Sequence, residues 1–227
     1  MIARRSAVVA PAVRPARTAA RQIDMHPSLA ERAALCDLFD ELGPGAPTVL
    51  DGWGTTELAA HLWVRERRPD AGPGLTGNGP FAGHTEKLQR RAAQRPYAEL
   101  VRDLRAGPPP WWPARWVPAG DLHEWFVHHE DVRRANGLDP RTDDRLDDAI
   151  WGILKMWGRL LTRKADVGVE LVAHDGRRRT VKSADPAVTL TGRPGDLLLT
   201  LFGRDTDVAV DGTPEAMAAW ERSHLGL

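Results

Sequence analysis

Apolar positions recur every three or four residues through most of the first two thirds of the chain, which is the spacing of helices with one buried face. A first helix is predicted to start at Ser28, because Ser28 and Glu31 are spaced as a capping box. It is predicted to end before Gly43 and Pro44. A second begins at Thr55 or Thr56 and stops at Pro69. The longest apolar stripe belongs to a later helix and contains Leu146, Ile150, Ile153, Leu154, Trp157, Leu160 and Leu161.

Two further helical segments lie between these. Helical sequence resumes near Thr85, pauses at Pro96 and continues to Gly107. Residues 122–135 contain neither Pro nor Gly, with Asp121 as the predicted N-cap and Asn136-Gly137 as the stop. The pattern therefore predicts a bundle of four long helices.

After Val167 the period changes to that of β-strands. Residues 167–173 and 179–182 flank Asp175-Gly176, a strong hairpin signal, and residues 188–190 and 207–210 add short strands. Residues 195–204 read as a short helix, and Thr213-Pro214 starts a final one. The predicted organisation is an N-terminal helical bundle over residues 25–164 and a small α+β domain over residues 165–227, preceded by a disordered extension over residues 1–24.

Composition narrows the choice of partners. Of the 227 residues, 42% are hydrophobic, which is enough for a real core, and 31 basic residues balance 31 acidic ones. A chain without net charge has no global field that attracts nucleic acid or an anionic membrane, and no apolar stretch reaches the roughly eighteen residues of a membrane span. We therefore expect neither partner and a cytoplasmic protein. The single cysteine, Cys36, is expected to be packed among apolar residues and unreactive.

Three histidines and four carboxylates crowd into residues 121–131. Side chains four apart share a helix face, so Glu124 and His128 point the same way, and His61 falls on the inward stripe of its own helix. Imidazole and carboxylate are ordinary ligands of borderline divalent metals. We predict that His61, Glu124 and His128 converge on a metal. The segment is not the His-Glu-x-x-His zinc signature, because His123 and His128 are five apart.

Other interpretations of these residues stay open. Asp121 and Glu124 are spaced as a capping box, in which Glu124 would bind the start of its own helix. His61 and His128 could each be a core histidine with a hydrogen-bond partner. Asp131, one turn beyond His128, is predicted to orient that histidine from behind, or else to form a salt bridge with Arg134 or Arg65.

A segment rich in proline and tryptophan, residues 108–118, precedes the helix with the histidines. It can be neither helix nor central strand. It could form an aromatic wall over the predicted site, or a connector whose rings plug the bundle.

The pattern of His61 on the second helix, then Glu124 and His128 followed by Asp131, resembles the DinB-like metal-binding domain of mycothiol-dependent maleylpyruvate isomerases and their actinobacterial relatives. Gly52-Trp53 before the His61 helix and the segments 65–69 and 126–135 resemble one branch of those relatives. The resemblance covers roughly residues 25–227. It implies a DinB-like four-helix bundle, a sterol-carrier-like C-terminal domain, a divalent metal such as zinc held by His61, Glu124 and His128, and mycothiol as a thiol cofactor.

Three functions are compatible with these residues. The first is an enzyme, a thiol transferase or an isomerase, which takes its thiol from solution and acts on an electrophilic small molecule. Another is a protein that binds a metal or a small ligand without catalysis. The last is a structural bundle that needs no metal.

Overall fold

The computed structural model describes residues 25–74, 80–111, 121–223 and 225. The predicted extension, residues 1–24, and two of the three tryptophans of the proline-rich segment, Trp112 and Trp116, lie outside these ranges; Trp111, within them, is exposed. The helices of the first part are α1 (Pro27–Leu42), α2 (Thr55–Arg67), α3 (Ala82–Ala93), α4 (Tyr97–Ala106), α5 (Leu122–Ala135) and α6 (Asp144–Leu161), with a short 3₁₀ helix at Pro69–Gly74.

The start of α1 differs from the predicted capping box. The helix begins at Pro27, and the His26 ring accepts a hydrogen bond from the Ser28 backbone N–H at 3.3 Å. Glu31 instead binds His129 and Arg141, which belong to distant parts of the chain. The capping-box prediction for Ser28 and Glu31 was therefore wrong, because His129 and the cationic Arg141 hold the carboxylate away from the helix start.

The second part of the chain forms a four-stranded mixed sheet and two helices. The strands are β1 (Gly168–Ala173), β2 (Arg178–Lys182), β3 (Ala187–Gly192) and β4 (Ala209–Gly212), and the helices are α7 (Pro194–Leu201) and α8 (Pro214–Arg222). The strand order is β2-β1-β3-β4, with β1 and β3 parallel and the outer pairs antiparallel. The predicted hairpin lies between β1 and β2, and Gly176 turns it with a φ of 88° that glycine adopts without strain.

Helix α5 lies between two hydrophobic cores. Trp125 and Val132 pack into the core of the bundle, with Leu35, Phe39, Leu58 and Leu62. Phe126 and Val127 pack into the other core, which joins α6, α7 and the inner face of the sheet. Helix α6 buries Ile150 and Leu154 in that second core. Its main packing partners are thus α7 and β2, and the boundary near residue 164 stays a prediction.

The described part of the chain is therefore helix-rich with a small mixed sheet. None of its helices is long and apolar enough to cross a membrane. Because α5 is buried on both sides, the polar residues along it are held between the helices of the bundle and the C-terminal unit.

Candidate metal centre

Three side chains from two helices meet beside α5. His61 Nε2 lies 3.2 Å from Glu124 Oε1, and His128 Nε2 lies 3.4 Å from the same oxygen. One donor atom from each of the three residues lies within 4.8 Å of the others. The structure thus brings together the residues predicted to converge; that they bind a metal stays a prediction.

The spacing of these atoms suits a metal between them. Zinc bonds to nitrogen and oxygen of about 2.0–2.2 Å place the ligand atoms of a tetrahedron about 3.4 Å apart. The two measured separations from Glu124 Oε1 are already close to that value. Two imidazole nitrogens and one carboxylate oxygen are also a donor set that divalent metals use. The residues present therefore fit the metal that the sequence predicts.

His128 is held from behind by a carboxylate. Its Nδ1 lies 2.9 Å from Asp131 Oδ2, and Asp131 is fully buried. Burial alone would lower the pKa of His128, but the hydrogen bonds to Asp131 and Glu124 outweigh it and raise the pKa to about 9. Without a metal, the ring is an imidazolium that donates from both nitrogens.

Arg204, from the C-terminal unit, completes this arrangement. Its Nε and Nη2 donate to the two carboxylate oxygens of Asp131, each at 2.9 Å. Asp131 thus accepts from His128, and its salt bridge is with Arg204 and not with Arg134 or Arg65; that it orients a metal ligand stays a prediction. Residues 73 positions apart connect the candidate site to the second part of the chain.

Glu124 carries a negative charge in this buried place. Burial raises the pKa of its carboxyl group, but the Arg65 charge and the hydrogen bonds of His128 and His61 outweigh that effect and hold the pKa well below its usual range. Arg65 Nε lies 3.3 Å from Glu124 Oε1, and Arg65 Nη1 donates to Asp121 at 2.9 Å. Asp121 stands at the N-cap without capping through its side chain. No side-chain cap forms at this helix start, so the capping-box alternative for Glu124 is not what the structure shows.

His61 is oriented from the opposite side. Its Nδ1 lies 2.8 Å from Gln89 Nε2, on α3, and its ring lies 5.3 Å from the Trp53 ring between centroids. Burial lowers the pKa of His61 more than the bond to Glu124 raises it, so the ring is neutral. The two predicted ligand histidines thus differ in charge when no metal is bound.

The other two histidines of α5 lie elsewhere. His123 stacks on Trp157 with a centroid distance of 3.6 Å, and burial lowers its pKa to about 4. Its Nε2 is 3.8 Å from Glu124 Oε2, on the side of Glu124 away from the shared oxygen. His129 Nδ1 donates to Glu31 Oε2 at 3.0 Å in the bundle. Neither takes the place of His128, in agreement with the helical spacing.

Cys36 is fully buried in the bundle core. Burial raises the pKa of its thiol to about 12, so the thiolate is scarce at neutral pH. Cys36 is therefore packed as expected, and its low reactivity stays a prediction.

A second group of potential ligands consists of Asp144, Asp147 and His174. Arg193 Nη2 lies 2.9 Å from Asp144 Oδ1 and 2.6 Å from Asp147 Oδ2. A single side-chain cation thus already bridges both carboxyl groups, and this group is a contact between α6 and the C-terminal unit.

Two residues beside the candidate site, Gln89 and Arg204, were not predicted from the sequence. Gln89 is one polar residue among many on α3, and its distance of 28 residues from His61 carries no signal in a single sequence. Arg204 follows Gly203 at the end of α7 and looks like an ordinary exposed basic residue. Only the fold reveals their contacts.

No protein-family model matches the chain, and no curated protein matches it in sequence. Among solved structures, mycothiol-dependent maleylpyruvate isomerase matches with a TM-score of 0.53 at 14% identity, covering 84% of this chain and 95% of that one. A histidine-to-alanine mutant of that enzyme matches with a TM-score of 0.54 at the same identity and coverage. At this identity the likeness shows a shared fold, and the chain is thus a distant structural relative of that isomerase.

Proposed function

We propose that this protein is a divalent-metal enzyme that uses an external low-molecular-weight thiol, mycothiol. Its substrate is an electrophilic small molecule, to which it transfers the thiol or which it isomerises. His61, Glu124 and His128 are the proposed metal ligands, and zinc is the proposed metal. The observation that carries the proposal is the convergence of their three donor atoms within 4.8 Å in a buried place.

The charges around the site also support an anionic partner for the metal. The carboxylates of Asp121, Glu124 and Asp131 are balanced in part by Arg65 and Arg204. Three negative and two positive side chains leave one negative charge once His128 is neutral, so a divalent cation gives the site a net positive charge. An anion such as a thiolate then restores neutrality, which matters because charges are costly to bury unpaired.

The residues around the candidate site have separate roles in this proposal. A divalent metal in a site with three protein ligands supplies an open position at which a thiol is deprotonated at neutral pH. Asp131 fixes the ring of His128 by accepting from Nδ1, and Arg204 fixes Asp131. Arg65 keeps Glu124 ionised. Cys36 is buried in the bundle core, so the sulfur must come from solution.

Fold similarity supports the choice of thiol. The solved structures of similar fold are of an isomerase that is mycothiol-dependent. For the present chain, mycothiol is the first thiol to assay and maleylpyruvate the first electrophile.

The test is the disappearance of an electrophilic substrate, with and without mycothiol, for protein loaded with zinc. We expect turnover only when both metal and thiol are present. His128→Ala should abolish it, whereas His84→Ala, which removes an exposed histidine outside the site, should leave it unchanged. Bound zinc without turnover on any electrophile would favour a metal-binding protein without catalysis. If the protein binds no metal, the remaining function is that of a structural bundle.

A further inference from the structure

Gln89 contacts Nδ1 of His61, the ring nitrogen that does not face Glu124. An amide nitrogen can only donate, so the contact of Gln89 Nε2 with His61 Nδ1 at 2.8 Å makes Nδ1 the acceptor. The ring proton then sits on Nε2, which donates to Glu124 Oε1 at 3.2 Å. Without a metal, the neutral His61 ring is thus held as its Nε2–H tautomer.

A metal at Nε2 needs the opposite arrangement. A metal bond uses the lone pair of that nitrogen, so the ring proton must move to Nδ1, where it needs an acceptor. Gln89 offers one through its own carbonyl oxygen, after its amide group turns by half a rotation about the last side-chain bond. His128 needs no such change, because its Nδ1 already donates to Asp131.

We propose that Gln89 is a positioning residue that holds His61 in either tautomer, and that its amide turns over when the metal binds. This proposal rests on the proposed function, because it assumes that His61 binds the metal through Nε2. Glutamine suits the task because it is neutral and can both donate and accept. A carboxylate at this position could only accept, and it would add a further negative charge beside Glu124.

A simpler role for Gln89 is to fill space between α3 and α2, which pack against each other. The two roles predict different results for Gln89→Met, which preserves length and volume but removes both hydrogen bonds. If Gln89 only fills space, the methionine serves equally well. If it sets the tautomer, the metal-binding nitrogen is no longer controlled.

The experiment compares wild type, Gln89→Met, Gln89→Glu and the control Gln94→Met, which makes the same change at an exposed position at the end of α3. Zinc affinity is measured by competition with a chelator, and nitrogen-15 NMR of the imidazoles reports the His61 tautomer in metal-free protein. Thermal unfolding shows that each variant folds.

We expect Gln89→Met to lose about 10- to 100-fold in zinc affinity, the range for residues that orient a ligand, and to lose the pure Nε2–H signature. Gln89→Glu, which can accept from Nδ1–H, should recover most of the affinity and place a proton on Nδ1. Gln94→Met should match the wild type.

Wild-type zinc affinity together with an unchanged tautomer in Gln89→Met would overturn the proposal. Failure of the proposed function looks different: the wild type would bind no zinc. The NMR measurement on metal-free protein would then still decide whether Gln89 determines the tautomer of His61. An unchanged tautomer in Gln89→Met would overturn that role as well.

Discussion

Replacing Asp131 by alanine tests how the environment of His128 controls metal binding. Asp131 is fully buried and accepts from His128 Nδ1 and from Arg204 Nε and Nη2, each at 2.9 Å. The substitution removes the group that orients His128 and also leaves Arg204 without its partner. Two effects on metal affinity follow, and they have opposite signs.

The first effect weakens binding. Loss of a residue that orients a ligand costs about 10- to 100-fold in affinity, or about 1.4–2.7 kcal/mol. The second effect strengthens binding below pH 9. In the wild type the metal must displace a proton from His128, whose pKa is about 9 because the bonds to Asp131 and Glu124 outweigh the effect of burial. At pH 7 this displacement costs about 2.7 kcal/mol, at about 1.4 kcal/mol for each of two pH units. Without Asp131 the pKa falls and most of that cost disappears.

The two effects nearly cancel at neutral pH and separate at alkaline pH. Wild-type affinity should rise about tenfold per pH unit up to about pH 9 and then level off, because the ligand must be deprotonated. Affinity of Asp131→Ala should level off at lower pH. The deficit of the variant should therefore be small near pH 7 and reach its full size above pH 9.

The assay is zinc competition with a chelator from about pH 6 to about pH 9.5. The control is Arg204→Met, which breaks the contact with Asp131 but leaves the His128–Asp131 hydrogen bond; it should retain most of the wild-type pH dependence. Unfolding measurements are needed alongside, since removing one partner of a buried ion pair costs about 3–5 kcal/mol, and less here because Arg204 is partly exposed. If the affinities of wild type and Asp131→Ala change in parallel with pH, Asp131 does not control metal binding through the pKa of His128.

Cys36→Ser should leave thiol-dependent turnover within about twofold of wild type while lowering stability by about 1–3 kcal/mol, because a hydroxyl replaces a packed thiol; loss of turnover with folding and metal content intact would make Cys36 the nucleophile. His123→Phe should keep the stacking on Trp157 and bind zinc within a few-fold of wild type, and loss of metal in equilibrium dialysis would instead place His123 among the ligands. In metal-free protein, the raised pKa of His128 contributes stability that is complete below about pH 6.5 and is lost as pH rises through 9, up to about 3 kcal/mol. Urea unfolding at pH 6 and pH 10 measures that loss, and equal contributions of His128 at both pH values, judged against His128→Ala, would contradict it.

Much of this fold is local in origin and could be predicted. The helical spacing of Glu124 and His128, the stop at Asn136-Gly137 and the Asp175-Gly176 turn all depend on residues a few positions apart. His61 could be assigned to an inward face because apolar neighbours mark that face of α2. The strands of the C-terminal unit were shifted by a few residues at most: β4 is Ala209–Gly212, where residues 207–210 were expected.

What the sequence did not show depends on contacts between distant segments. Arg204 reaches Asp131 across 73 residues, and Gln89 reaches His61 across 28, with no local pattern to mark either one. Glu31 failed as a capping residue for the same reason, since His129 and Arg141 bind it from far along the chain. A single sequence shows which residues share one face of a helix, but not which residues of other elements pack against that face.

Metal analysis of the purified protein shows whether His61, Glu124 and His128 hold a metal. After dialysis against metal-free buffer, we expect a stoichiometric divalent ion in wild-type protein and its loss in His61→Ala, Glu124→Ala and His128→Ala. His129→Ala, which changes the next histidine along α5, should keep the ion if the variant folds. Wild-type protein without a bound ion, or an ion retained in all three ligand variants, would show that His61, Glu124 and His128 do not form a metal site.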